Sequence, residues 1–147
     1  MRDHRYYPEL LVGLQFGIIG LMLLFSKGLL HSGMGMAIFV VGAILGLWAL
    51  QHNRLGNFNI QPRIKHASQL VTSGIYKYIR HPMYSSVLLM MLGVWWSTPT
   101  GLEGLLFGLL VVVLWLKAQK EESLWLDHDE TYKAYRQRTK FFIPFIL

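Results

Sequence analysis

Polar and apolar residues fall in long blocks along this chain instead of alternating at short range. Leu10 to Ser26 gives 17 residues without a charge, and Gly28 to Asn53 gives another 26. A helix crossing the hydrocarbon core of a bilayer needs roughly 20 apolar residues, so these blocks predict transmembrane helices at about 10–26 and 28–52. His81 to Leu102 is a third block of 22 residues with no full charge, dense in Met, Leu, Val and Trp, and it predicts a span at about 82–98. Gly104 to Leu116 holds only 13 uncharged residues. With Lys117 able to snorkel at one end and Glu103 at the other boundary, a fourth span is predicted at about 101–117. The turn Ser97 to Gly101 is too short for anything but an antiparallel hairpin between the third and fourth spans.

The pattern thus predicts an all-α integral membrane bundle of four transmembrane helices. It forms one domain over residues 1–147, with a polar loop from Arg54 to His81 and a helical tail at 118–147. Arg2 and Arg5 ahead of the first block suggest a cleavable signal peptide as a rival reading. The length of the block, Asp3, Glu9 and the lack of a small-residue cleavage site favour a retained helix. Glycines recur four apart at Gly13 and Gly17, Gly42 and Gly46, and Gly104 and Gly108. This spacing lets membrane helices approach closely, although glycine is also simply frequent in such helices.

Composition agrees with the membrane reading: 53% of residues are hydrophobic and 15% charged, against about 25% charged in an ordinary soluble domain. Disorder is excluded on the same grounds. Having no cysteine, the chain has neither a disulfide framework nor a thiolate nucleophile. The net charge of +6 sits beside apolar runs and so points to anionic lipid head groups, with no nucleic acid partner implied. Arg54, Arg63, Lys65, Lys77 and Arg80 crowd the middle loop, six Lys and Arg lie from Lys117 onward, and Lys27 is alone in the first loop. By the positive-inside bias, both termini, the middle loop and any site built from them are predicted to be cytoplasmic.

A purely structural bundle needs neither a 28-residue polar loop nor a 31-residue amphipathic segment on the same side as that loop. Pro82 fits the first turn of a helix, where its missing N–H costs nothing. His81 is then the last interfacial residue, and the N–H groups of Met83 and Tyr84 could face an anion. The plainer account pairs Arg80 with lipid phosphate and puts Tyr76, Tyr78 and Tyr84 in an interfacial belt. Glu121 and Glu122 read either as a solvated helix face with an i, i+4 Lys117–Glu121 pair, or as carboxylates that hold a cation or a ribose diol. No dinucleotide or Walker motif is present. The six histidines lack His-x-x-x-His spacing, which leaves no metal site predicted, and a haem-carrying bundle is disfavoured because His31, His52 and His81 sit near span ends.

The ordered set Leu70-Val71-Thr72-Ser73-Gly74-Ile75-Tyr76, Arg80-His81-Pro82-Met83-Tyr84, a hydrophobic hairpin, Glu121-Glu122, Tyr132, Tyr135 and Pro144 resembles the isoprenylcysteine carboxyl methyltransferase family. More broadly it is similar to the membrane methyltransferases that include phospholipid methyltransferases. The resemblance runs from about Phe58 to Phe145. It implies S-adenosylmethionine-dependent methyl transfer to a lipophilic or small acceptor. The cofactor would be held by Gln61, Ser68, Gln69, Leu70, Val71, Tyr76, His81, Pro82, Met83, Tyr84 and a glutamate of the Glu121-Glu122 pair. Lys117 falls where the family places a substrate-facing arginine, and Arg138 matches a further basic position in the tail. The chain departs from the family pattern at Ser85-Ser86, where a glycine usually follows the tyrosine, and at His128-Asp129. A phospholipid-amine or small-thiol methyltransferase, and a non-catalytic bundle binding lipid or a partner, are the alternatives.

Overall fold

A computed structural model describes residues 7–52 and 72–142 of the chain, leaving out the side chains of His52 and His128. The elements are α1 (Tyr7–Phe25), α2 (Gly33–His52), α3 (Pro82–Ser97), α4 (Gly101–His128) and α5 (Tyr132–Arg138), with 3-10 turns at Leu29–His31 and Gly74–Lys77. Among the described residues there is no strand, only an isolated parallel bridge between Ile79 and Lys140.

Three helices are long and apolar enough to cross a membrane: Tyr7–Phe25, Gly33–Gln51 and Gly101–Asp127. Their outward faces carry Leu10, Leu14, Leu24, Val41, Ile44, Leu47, Leu105 and Val112, all exposed. Water would penalise such a surface, and lipid solvates it. The third and fourth blocks behave differently from the sequence expectation. At 16 residues α3 rises about 24 Å, short of the roughly 30 Å core, because Pro82 starts it and Pro99 follows its end. Helix α4, expected to stop near residue 117, runs on to His128. Lys, Gln and Glu are good helix formers, and neither Gly nor Pro interrupts Leu109 to His128. Residues 118–128, expected in a separate tail, are therefore the last three turns of α4. That helix is started by Thr100, whose side chain accepts from the Glu103 N–H.

Helix α3 packs chiefly on α2, and small residues set the closeness. A Cβ added at Gly93 would lie 2.5 Å from the Gly35 carbonyl oxygen, one at Gly42 would lie 2.8 Å from the Met90 nitrogen, and one at Gly46 would lie 2.5 Å from Ser86 Oγ. The Ser86 hydroxyl donates to the Gly42 carbonyl at 2.6 Å, a cross-helix bond of the kind small polar residues make in membranes. The spacing at Gly42 and Gly46 is thus a true contact. Gly13, Gly17 and Gly108 face open space within 4 Å, and Gly104 meets only the Trp95 ring.

Leu11, Ile18 and Met22 of α1 recur on one helical face and share a core cluster with Leu106, Leu110, Val113 and Leu114 of α4. The polar Gln15 and Lys117 are buried on the same two faces. Glu103, at the opposite end of α4, is also buried, and neither carboxylate oxygen has a hydrogen-bond partner among the described residues.

Gly93→Ala is expected to destabilise the detergent-solubilised protein by about 1–3 kcal/mol, the usual cost of overpacking, while Gly13→Ala is neutral within about 0.5 kcal/mol. Thermal unfolding of the two variants beside the parent chain measures the contrast.

Candidate active site

The N-terminal end of α3, the lower half of α4, one side chain of α1 and the segment after α5 meet at one end of the bundle. The approach to α3 is shaped by Gly74, which takes a left-handed φ of 60° that costs a residue with a Cβ. Ile75 and Ile79 anchor this approach against Ala49 of α2, with Leu45, Tyr76 and Met83 packed around them. His81 is the N-cap of α3 without a side-chain capping bond, and Pro82 opens the first turn.

The chain after α5 is stitched to this approach through its backbone. Lys140 N–H donates to the Tyr78 carbonyl (2.9 Å), Arg80 N–H to Lys140 (2.8 Å) and His81 N–H to Phe141 (3.2 Å). Ser85 Oγ donates to the Phe142 carbonyl (2.8 Å) and Tyr135 OH to the Tyr76 carbonyl (2.7 Å). Burial pushes the Tyr132 and Tyr135 hydroxyls well above the ordinary tyrosine range, with the Glu122 carboxylate adding to the effect at Tyr132. Both phenols therefore stay neutral, and Tyr135 keeps the proton it donates.

Two polar clusters occupy the junction. In the first, Glu122 is 3% exposed and accepts from Arg80 Nε through Oε1 at 2.5 Å. His81 Nε2 lies 3.0 Å from the same oxygen, and Arg136 Nε is 3.5 Å from Oε2. Facing a carboxylate, Nε2 is the protonated ring nitrogen. Arg80 also donates to the Arg136 and Thr139 carbonyls at 3.0 and 2.7 Å. In the second cluster Tyr84 OH donates to Glu121 Oε2 at 3.1 Å. The Lys117 ammonium lies 5.2 Å from the centre of the Tyr84 ring and donates to Gln15 Oε1 of α1. The clusters touch where the His81 ring stacks on Tyr84 (5.6 Å, 13°) and meets the Phe141 edge at 4.8 Å.

Of the residues singled out in the sequence, His81, Tyr84, Lys117, Glu121 and Glu122 come together here. Tyr76 contributes its carbonyl to Tyr135, while Pro82 and Met83 act in the scaffold. Gln61, Ser68, Gln69, Leu70, Val71 and Pro144 lie outside the described residues. Arg138 is exposed, and the tail arginine that reaches the cluster is Arg136, four residues after buried Tyr132 and so on its side of α5. The i, i+4 pair expected between Lys117 and Glu121 is not formed: the ammonium turns to Gln15 and the carboxylate to Tyr84. Sequence reading passed over Gln15, although it is the one polar side chain between Leu10 and Phe25. Ser85 and Ser86, a departure from the family pattern, hold the tail and α2 respectively.

The profile of a family described as phospholipid methyltransferase matches residues 30–134. A methanethiol S-methyltransferase of Crocosphaera subtropica is 35% identical over 78 residues, which is 51% of this chain and 29% of that protein. The aligned part thus spans less than a third of the relative's length.

Removing one partner of a buried pair leaves the other charge uncompensated, at about 3–5 kcal/mol. Glu122→Ala is therefore expected to destabilise the protein strongly and to open the chain after α5 to limited proteolysis. Glu121→Gln, which keeps a hydrogen-bond acceptor for Tyr84, is expected to leave the tail protected under the same protease digest.

Proposed function

The chain belongs to the phospholipid methyltransferase family, and from that premise we propose that it is a membrane-embedded S-adenosylmethionine-dependent methyltransferase whose acceptor is a small or lipophilic anion, a thiolate or a carboxylate. The observation that carries the reading is Lys117: an ammonium buried to 1% exposure beside Tyr84 and Glu121, with a neutral amide and an aromatic face as its partners.

The side chains at the junction suit a sulfonium nucleoside. Aromatic faces of His81, Tyr84 and Phe141 can hold a cation or stack on a base. A half-buried carboxylate, Glu121, suits an ammonium or a ribose diol. Glu122 is engaged by Arg80, His81 and Arg136, which supports Glu121 as the cofactor-facing member of the pair. Gln61 and Ser68 to Val71 complete the cofactor set by resemblance. When bound, S-adenosylmethionine supplies a methyl group on positively charged sulfur.

What the chain itself contributes is alignment and exclusion of water. Joining an anionic acceptor to a cationic donor destroys charge, so an apolar surrounding favours the reaction. A carboxylate acceptor is ionised at neutral pH. A thiol is mostly protonated, and a nearby ammonium favours its thiolate. Lys117 holds the acceptor oxygen or sulfur in either case. An alkylammonium head group would instead meet a like charge, which counts against phospholipid amines, whereas the name of the Crocosphaera relative favours a small thiol. Lipid-facing helices give an apolar acceptor a lateral entry. The Lys and Arg bias supports a cytoplasmic site, with α3 as a fourth, short crossing antiparallel to α4.

Calorimetric titration of the detergent-solubilised chain with S-adenosylmethionine is expected to give saturable binding, which a non-catalytic bundle would not. Glu121→Ala should weaken that binding tenfold or more. Lys117→Ala should raise KM for methanethiol at least tenfold while the cofactor Kd stays within twofold. Labelled methyl appearing on phospholipid amines, and on no thiol or carboxylate, would overturn the acceptor assignment.

A further inference from the structure

We propose that Gln15, supplied by α1 from outside the family-matched region, is a positioning residue that fixes the Lys117 ammonium without neutralising it, and so sets a preference for an anionic acceptor. This rests on the reading of Lys117 given above.

An amide inside an apolar helix is costly to bury unless it is hydrogen-bonded, yet Gln15 is only 6% exposed and lies on the face that α1 packs against α4. Its carbonyl oxygen accepts from Lys117 Nζ. No carboxylate lies within ion-pair distance of Lys117 among the described residues; Glu121, one turn away on α4, is bonded to Tyr84 and acts on the ammonium only at longer range. The groups in direct contact with the ammonium are therefore neutral, the Gln15 carbonyl on one side and the Tyr84 ring on the other. An ammonium has three N–H donors, and Gln15 takes one. A glutamate at position 15 would fit the same space and cancel the charge, whereas a leucine would fit the apolar face but leave the ammonium unguided. Of the three, the amide alone aims the lysine and preserves its charge.

The test compares the full-length parent, Gln15→Leu and Gln15→Glu in detergent, titrated with octanoate, octylamine and S-adenosylmethionine. The parent is expected to bind octanoate at least tenfold tighter than octylamine. Gln15→Leu should weaken octanoate about tenfold and raise KM for methanethiol more than it lowers kcat, with the cofactor Kd within twofold. Gln15→Glu, nearly the same size, should erase or invert the octanoate preference, and it decides the matter if the leucine variant does not fold. Parent and Gln15→Glu showing the same octanoate-to-octylamine ratio would overturn the proposal. A parent that binds S-adenosylmethionine but does not favour octanoate overturns this inference alone. A parent that favours octanoate through Gln15 yet neither binds the cofactor nor transfers methyl supports the positioning role and removes the methyltransferase reading.

Discussion

One carboxylate organises the working end of this molecule. Glu122 sits on α4 beyond the end of α3, where it gathers Arg80 and His81 from the approach to α3 and Arg136 from α5. A buried anion must be compensated on several sides or it destabilises the fold, so the three cationic or donor groups are drawn to one point. With Arg80 fixed, its second nitrogen reaches the Arg136 and Thr139 carbonyls, and the backbone beyond Thr139 falls into register beside Tyr78, Arg80 and His81. His81 is thereby oriented with its ring face on Tyr84. The neighbouring cluster of Tyr84, Glu121 and Lys117 inherits its geometry from this ionic anchor.

The rest of the bundle keeps that anchor at the right depth. Helices α2 and α3 approach so closely at Gly35, Gly42 and Gly93 that backbone meets backbone, and the Ser86 side chain fills the space at Gly46. In lipid, where apolar burial gives little drive between helices, such packing and the Ser86 to Gly42 bond supply much of the cohesion. Helix α1 packs instead on α4, through an apolar stripe interrupted by Gln15. The polar interruption lands level with Lys117, one turn before Glu121. Packing and chemistry thus meet on the same face of α4, whose lower turns extend past α3 and carry both glutamates.

This arrangement separates two tasks that the sequence makes look alike. Adjacent acids Glu121 and Glu122 project about 100° apart on a helix, so one turns to the ionic anchor and its neighbour to Tyr84. Arg136 and Arg138 are divided in the same way, with only the former reaching Glu122. One member of each pair joins the ionic anchor, and the other faces Tyr84 or solvent.

The helical, membrane-embedded class was legible in the chain because uncharged blocks of that length admit few other structures, and a backbone in lipid must satisfy itself. The glycine spacing at 42 and 46, the proline start of α3 and the pairing of a polar loop with a polar tail were legible for similarly local reasons. Helix lengths were less so. Charge marks where a helix leaves lipid but not where it ends, so α4 outran its apolar block while two prolines kept α3 short. Which glutamate, which arginine and which residue of α1 reach the junction depends on helix rotation and depth across separations as long as the 102 residues between Gln15 and Lys117. Only packing sets those, which is why Lys117 has its charge facing Gln15 and not the acid one turn along its own helix.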